Sequence, residues 1–276
     1  KNLQKDFGGR RPDWGFSGSP LCVSDKVIFE TGSEKGSLVA LDAKSGNLVW
    51  RSGSDEAGYS SPMLRNGVKD EILVFNQYGL IAHHLSDGRE LKRYQHKTRF
   101  GINAAQPMDL GSSVLISSAY GKGAALVDLD RLRPRALWES ANFSCQMASL
   151  VRKGDYAYGI EGQSGAREDQ AKLFCLEIGK GKKKWDKRGF GLGTLILVDE
   201  NLVILSDRGE LTLAKANPFG FQELAKFQVL GGKQNWTPPT YANGRMHCRS
   251  SKGKWICLQM GLSAAGGTRG PGQKSD

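Results

Sequence analysis

Apolar and polar positions alternate in short runs along this chain, and no stretch sustains an apolar period of 3.6 residues. Segments such as Gly36-Ser-Leu-Val-Ala-Leu-Asp42 and Asn47-Leu-Val-Trp50 therefore predict strands, with almost no helix. Turns punctuate the runs. Ser45-Gly46, Asp87-Gly88, Lys153-Gly154, Arg208-Gly209, Asn243-Gly244 and Lys252-Gly253 all separate β-type segments, and such pairs supply the positive φ that tight hairpins need. The pattern also returns at a fixed interval. A glycine, an apolar run, a turn and a charged strand closing on an aromatic recur, with the aromatics at Trp50, Tyr94, Trp138 and Trp185, spaced 44, 44 and 47 residues apart. A repeat of roughly 40–50 residues made of short strands is the mark of a β-propeller blade.

This repeat predicts an all-β propeller of about six four-stranded antiparallel blades, over residues 18–51, 60–94, 105–138, 146–185, 194–229 and 239–259. The sixth blade lacks a fourth strand, and residues 1–7 are the candidate donor, since joining the two ends in one sheet removes exposed edges. An open arc of an eight-bladed ring is the alternative. Trp50, Tyr94, Trp138 and Trp185 are expected to pack between blades. The propeller should fill residues 1–260, leaving 261–276 as a disordered tail of Gly, Ser, Pro and charged residues.

Composition fits 276 residues in one all-β domain: 36 glycines suit about two dozen strands with turns between them. The apolar runs are too short to span a bilayer, so no transmembrane segment is expected. Charge adds more. Lys and Arg number 39 against 28 Asp and Glu, a net +11. Lys180, Lys182, Lys183, Lys184, Lys187 and Arg188 crowd the outer strand of blade four, and Arg131, Arg133 and Arg135 that of blade three. Such lysines protect a sheet edge from aggregation; alternatively they form a basic flank for a polyanion, a polysaccharide or an acidic protein. Nucleic acid is disfavoured, because it calls for aromatics among the basic residues and the run offers only Trp185.

Candidate chemistry is sparse. His83 and His84 are neighbours on a strand, so they face opposite ways and cannot chelate one ion. No His-Glu-x-x-His, Cys-x-x-Cys or Gly-x-Ser-x-Gly is present, which leaves no catalytic or metal residue to nominate. Gly189-Phe-Gly-Leu-Gly193 leads into a strand, not a helix, and reads as an inter-blade loop. A two-residue turn at Lys252-Gly253 would set Cys248 opposite Cys257. The pair is then either a cross-strand disulfide or two small thiols in a reduced protein. Propellers bind through loops at one end. The loops here carry Trp14, Tyr59, Tyr78, Tyr120 and Trp236, either as binding anchors or as wedges between blades.

Ser37-Leu-Val-Ala-Leu-Asp-Ala-Lys-Ser-Gly-Asn-Leu-Val-Trp50 resembles the PQQ-like, quinoprotein-type propeller repeat. Phe7-Gly-Gly, Pro12-x-Trp14-Gly15, Ser19-Pro-Leu21, Ala57-Gly-Tyr-Ser-Ser-Pro62 and Ser118-Ala-Tyr-Gly-x-Gly123 resemble exported bacterial PQQ-binding-like propellers and the propeller lipoproteins of the outer-membrane β-barrel assembly machine. Members of that group usually carry about two further blades ahead of the Phe-Gly-Gly segment. The resemblance implies a periplasmic, cell-envelope or secreted protein truncated at its N-terminus. True quinoprotein dehydrogenases hold PQQ and Ca²⁺ with an adjacent Cys-Cys pair and a Glu/Asn/Asp set. This chain has no Cys-Cys pair and no oxygen-rich loop, so no PQQ with Ca²⁺ is expected. Three functions follow as expectations: a non-catalytic scaffold binding a macromolecular partner through its loop face, a PQQ-dependent alcohol or sugar dehydrogenase or its relic, and a carbohydrate- or polyanion-binding module.

Overall fold

Turn chemistry and strand length together make hairpins, and consecutive hairpins make blades. The computed structural model describes residues 1–165 and 170–260. Blade one holds β1 (Leu21–Val23), β2 (Lys26–Ser33), β3 (Gly36–Asp42) and β4 (Leu48–Ser52). Blade two holds β5 (Met63–Leu64), β6 (Glu71–Phe75), β7 (Gly79–His84) and β8 (Glu90–Gln95). Blade three holds β9 (Met108–Asp109), β10 (Ser113–Ser118), β11 (Gly123–Asp128) and β12 (Arg135–Ser140). Blade four holds β13 (Val151–Lys153), β14 (Tyr156–Glu161), β15 (Lys172–Glu177) and β16 (Lys182–Arg188). Blade five holds β17 (Thr194–Val198), β18 (Asn201–Leu205), β19 (Glu210–Lys215) and β20 (Gln222–Gln228). Among the described residues blade six has three strands: β21 (Thr240–Ala242), β22 (Arg245–Arg249) and β23 (Trp255–Gln259). Every sheet is an antiparallel meander in chain order. This is a β-propeller, with the tail predicted at 261–276 outside the described residues.

Near-continuous buried runs on the middle strands fill both faces of each sheet, so the core is a series of seams between blades. Five apolar clusters join blades one and two, two and three, three and four, four and five, and five and six. None of the five joins blade six to blade one. The outward face of blade six leaves Trp255 65% exposed, stacked flat on His247.

One device recurs at the seams. The outer strand of each of the first five blades carries a bulge at the same place, which re-aims the residue beside it. In blades one, three and four that residue is Trp50, Trp138 or Trp185. Each indole N–H donates to a carbonyl of the next blade: Leu85 at 3.1 Å, Ile178 at 2.8 Å and Asn217 at 2.9 Å. The rings of Trp50 and Trp138 each lie over a turn glycine. A Cβ at Gly88 would stand 2.5 Å from Trp50, and one at Gly181 2.6 Å from Trp138. The repeat's Gly is therefore required by its neighbour's Trp as well as by its own positive φ.

Blade two corrects the sequence reading. The bulge-flanking residue is Lys92, not Tyr94, and its Nζ donates to Leu129 O at 2.5 Å, the same seat an indole takes elsewhere. Tyr94 still packs on the cluster between blades two and three, and its hydroxyl bonds Glu139. In blade five the position falls to Ala225, which has nothing to reach with.

Two further expectations fail. Residues 1–7 give no strand: Leu3–Phe7 is a helix, α1. Asn2 Oδ1 accepts from the Gln4 and Lys5 N–H groups, Asp6 reaches back to the Asn2 N–H at 2.7 Å, and Gly8 closes the helix at φ 65°. A capping exchange at both ends satisfies the backbone locally, so this segment lends no strand to the sixth blade. The cysteine pair fails on register. The loop between β22 and β23 has three residues between Ser250 and Lys254, so Cys248 faces Ile256 and Cys257 faces His247. Cys248 is buried, Cys257 exposed, and both thiols are free.

Candidate functional site

In a four-stranded meander the loops leading into each first strand and those joining the second and third strands emerge at one end of the blade. The remaining turns emerge at the other. The predicted loop aromatics all belong to the first set, the loop end.

Three of the five are linked. Trp14 is 79% exposed, and its backbone N–H donates to the Tyr59 hydroxyl at 3.4 Å. Burial, with Asp13 and Tyr120 close by, holds the Tyr59 phenol above its ordinary range. Tyr120 accepts from Gln146 Nε2 at 2.7 Å and takes the edge of Phe100 at 5.0 Å between centroids. Its own backbone sits at φ 60°, held by the Gln163 side chain on its N–H at 3.0 Å. Phe100 is 58% exposed. The result is an aromatic belt, Trp14, Tyr59, Tyr120 and Phe100, that runs from the segment before blade one to the loops of blade three and is anchored on blade four through Gln146.

The other two stand apart. Tyr78 lies under the Arg93 guanidinium, 4.3 Å from its ring centroid, with Lys97 at 5.4 Å. It lines a cavity of about 290 Å³ with Asp55, Glu56, Gln77, Lys97, Thr98 and Gly101. Arg93 also bonds Asp55 at 3.2 Å and pairs with Glu90. Trp236 is half-buried against the cluster between blades four and five, where it packs as a wedge. Phe100 went unnominated in the sequence, although Phe100-Gly101 repeats the Trp14-Gly15 pair in the corresponding position two blades on.

A chain of side-chain-to-backbone bonds steadies the entry to the first strands. The Ser19 N–H donates to Ser61 Oγ at 2.8 Å, Ser61 N–H to Gln106 Oε1 at 3.0 Å, and Gln106 N–H to Ser149 Oγ at 3.0 Å. Each bond crosses one blade boundary, so the loops are held by the ring itself. Rigid loops lose little entropy when a partner docks.

The basic residues do not form one patch. Lys180 pairs with Glu177 at 2.7 Å at the turn end, and Lys183 with Glu161 at 2.9 Å within the blade. Lys182 and Lys184 are exposed on the outer strand, and Lys187 reaches over the Phe221 ring at 6.0 Å. Arg188 is at the loop end.

The geometry is that of a propeller with exposed aromatics at one end, and the comparisons agree on the propeller. The family model described as outer membrane protein assembly factor BamB matches residues 10–187. The chain belongs to this family. Among solved structures, BamB from Moraxella catarrhalis is similar at a TM-score of 0.52 and 15% identity, over 89% of this chain and 86% of that one. The computationally designed Ika8 protein matches at 0.65 and 13%, over 88% and 70%. The β-propeller domain of Cps50 (Swd1) from Myceliophteria thermophila matches at 0.54 and 13%, over 88% and 86%. At such identities the likeness is one of fold. No curated protein matches in sequence. Among the described residues no helix is long and apolar enough to cross a membrane.

Proposed function

We propose that this protein is a non-catalytic scaffold of the bacterial cell envelope, docking a protein partner on its loop end and working without PQQ. The observation that carries the reading is the aromatic belt: Trp14 and Phe100 stand exposed on side chains and loops that four blades hold in place. Exposed large aromatics on a rigid frame are what protein interfaces use as anchors. Membership of a family described as an outer membrane protein assembly factor supports a partner from the machinery that assembles outer-membrane proteins.

The test uses detergent-solubilised envelope and the tagged chain. Capture of an assembly component should fall about tenfold or more in a Trp14→Ala/Phe100→Ala variant, the loss expected when two interface anchors go. Circular dichroism should show the parent fold. Undiminished capture would remove the loop end from the proposal. Dye-linked oxidation of alcohols or sugars after adding PQQ and Ca²⁺ should stay at background; turnover would replace the scaffold reading with the dehydrogenase one.

A further inference from the structure

The loop end carries two cavities in corresponding places, one at blade two and one at blade five. Each lies between the loop entering its blade, the loop joining its second and third strands, and the segment leaving it. Their charges differ. At blade two, Asp55 and Glu56 balance Lys97 and the nearby Arg93. At blade five the cavity is larger, about 580 Å³, and Arg188, Arg208, Lys226 and Lys233 line it against Asp207 and Glu210.

Of the two carboxylates in the blade-five cavity, one is held in an ion pair. Glu210 holds Lys226 at 3.0 Å. The Asp207 carboxylate packs where a Cβ on Gly191 would collide with it, and burial holds it above its ordinary range despite the nearby Arg208 and Lys233. Arg188, Arg208 and Lys233 form no ion pair among the described residues, although Arg208 and Lys233 lie near Asp207. Three cations without an ion pair thus face one volume, with the Asp207 carboxylate nearby.

The cavity is also preorganised. The Asp207 N–H donates to Phe190 O at 3.1 Å, and Asn235 Nδ2 donates to Asp207 O at 2.9 Å. Gln228 Nε2 donates to Arg208 O at 2.8 Å. The loop bearing Arg208 is therefore pinned from both sides and from the outer strand. Converging cations on a fixed loop recognise carboxylates by charge-assisted hydrogen bonds, and a cavity of this size takes more than a single ion.

We infer that the blade-five cavity is a docking point for an acidic peptide segment, whose Asp or Glu side chains are held by Arg188, Arg208 and Lys233. The inference rests on the scaffold reading only in assigning that segment to a protein partner. The cavity shares its end of the molecule with the aromatic belt, so one partner can meet both: the belt supplies apolar anchoring and the cavity supplies charge.

The probe is fluorescein-labelled octaglutamate, followed by anisotropy with the full chain. It should bind at low salt and weaken steeply as salt rises, and octaglutamine should not bind. Changing Arg188→Ala, Arg208→Ala and Lys233→Ala together should weaken binding by about tenfold or more. Changing Lys180→Ala, Lys182→Ala and Lys184→Ala removes the same formal charge away from the cavity and should cost less than about twofold. All six side chains are exposed, so both variants should fold; the milder Arg208→Gln alone should still weaken binding. Equal loss in the two triple variants would reduce the effect to net charge and overturn the site. Displacement by inorganic phosphate at matched charge, or tighter binding of a heparin hexasaccharide abolished by the same cavity variant, would overturn the peptide assignment. The Trp14→Ala/Phe100→Ala variant should bind the probe as the parent does, which separates failure here from failure of the loop-end scaffold.

Discussion

The seams of blades one to four and the seam between blades five and six are built differently. At the former, a side chain from one outer strand crosses the boundary and donates to a carbonyl of the next blade: Trp50, Lys92, Trp138 and Trp185. Between blades two and three the buried Arg65 adds a second clamp, bonding Glu71 at 2.9 Å, Asp130 at 2.6 Å and Gly111 O at 2.8 Å. At the last seam Ala225 replaces the crossing residue, and apolar packing works alone. Burial supplies the bulk of the adhesion everywhere, but it is non-directional. The hydrogen-bonded latch fixes how one blade sits on the next. Since each blade touches only its neighbours, stability is close to a sum of seams, and blade six should be the first to open.

The largest test of that contrast is Trp138→Ala. It should cost about 3–5 kcal/mol in urea unfolding, whereas Trp138→Phe, which keeps a ring but strands the Ile178 carbonyl, should cost about 1–2 kcal/mol. A Trp138→Ala protein as stable as the parent would mean the latch is ornamental.

Arg65→Met comes next. It leaves the buried Glu71 unpaired and should cost about 3 kcal/mol, with recovery in the Arg65→Met/Glu71→Leu double variant.

A pH effect also belongs to the latched half. His96 is buried against Phe75 beside the seam of blades two and three, and burial pushes its imidazole down to about 3. The unfolded chain takes up that proton near pH 6.5 and the folded one does not. Stability should therefore fall by about 1.4 kcal/mol per pH unit as pH drops from about 6.5 toward 3. His96→Phe should flatten that slope, and an unchanged slope would place the sensitive group elsewhere.

The smallest change runs in the other direction. Ala225→Trp restores a latch at the last seam and should add up to about 1 kcal/mol, with slower amide exchange confined to blade six. Uniform slowing across the molecule would show that blade six does not open by itself.

The repeat was readable because Trp50, Trp138 and Trp185 mark it with a rare residue at regular spacing. Blade two was misread because Lys does the same work with no aromatic signature, and Tyr94 stands two residues away at a more regular interval. Strand order and turns were legible from period and glycine. The helix at Leu3–Phe7 was not, since it rests on an Asn2–Asp6 exchange across four residues, with no apolar stripe to announce it. The cysteine register turned on a single loop residue, and one residue inverts every side chain on a strand. Of the site, the exposed aromatics could be named in advance. Their linkage into a belt, and the meeting of Arg188 with Arg208 and Lys233, depends on contacts between blades that no local pattern encodes.

The meander gives every blade two unlike ends, which matters to anyone handling the protein. Gly220 lies in a turn at the end opposite the belt, with no atom within 4 Å of where a Cβ would stand and no positive φ to forbid one. A cysteine or a short peptide handle placed at this turn would tether the molecule to a sensor chip with the loop end pointing into solution. The fold thus supplies its own orientation standard: the same chain, anchored instead through the Arg99–Gly101 loop, would present only turns.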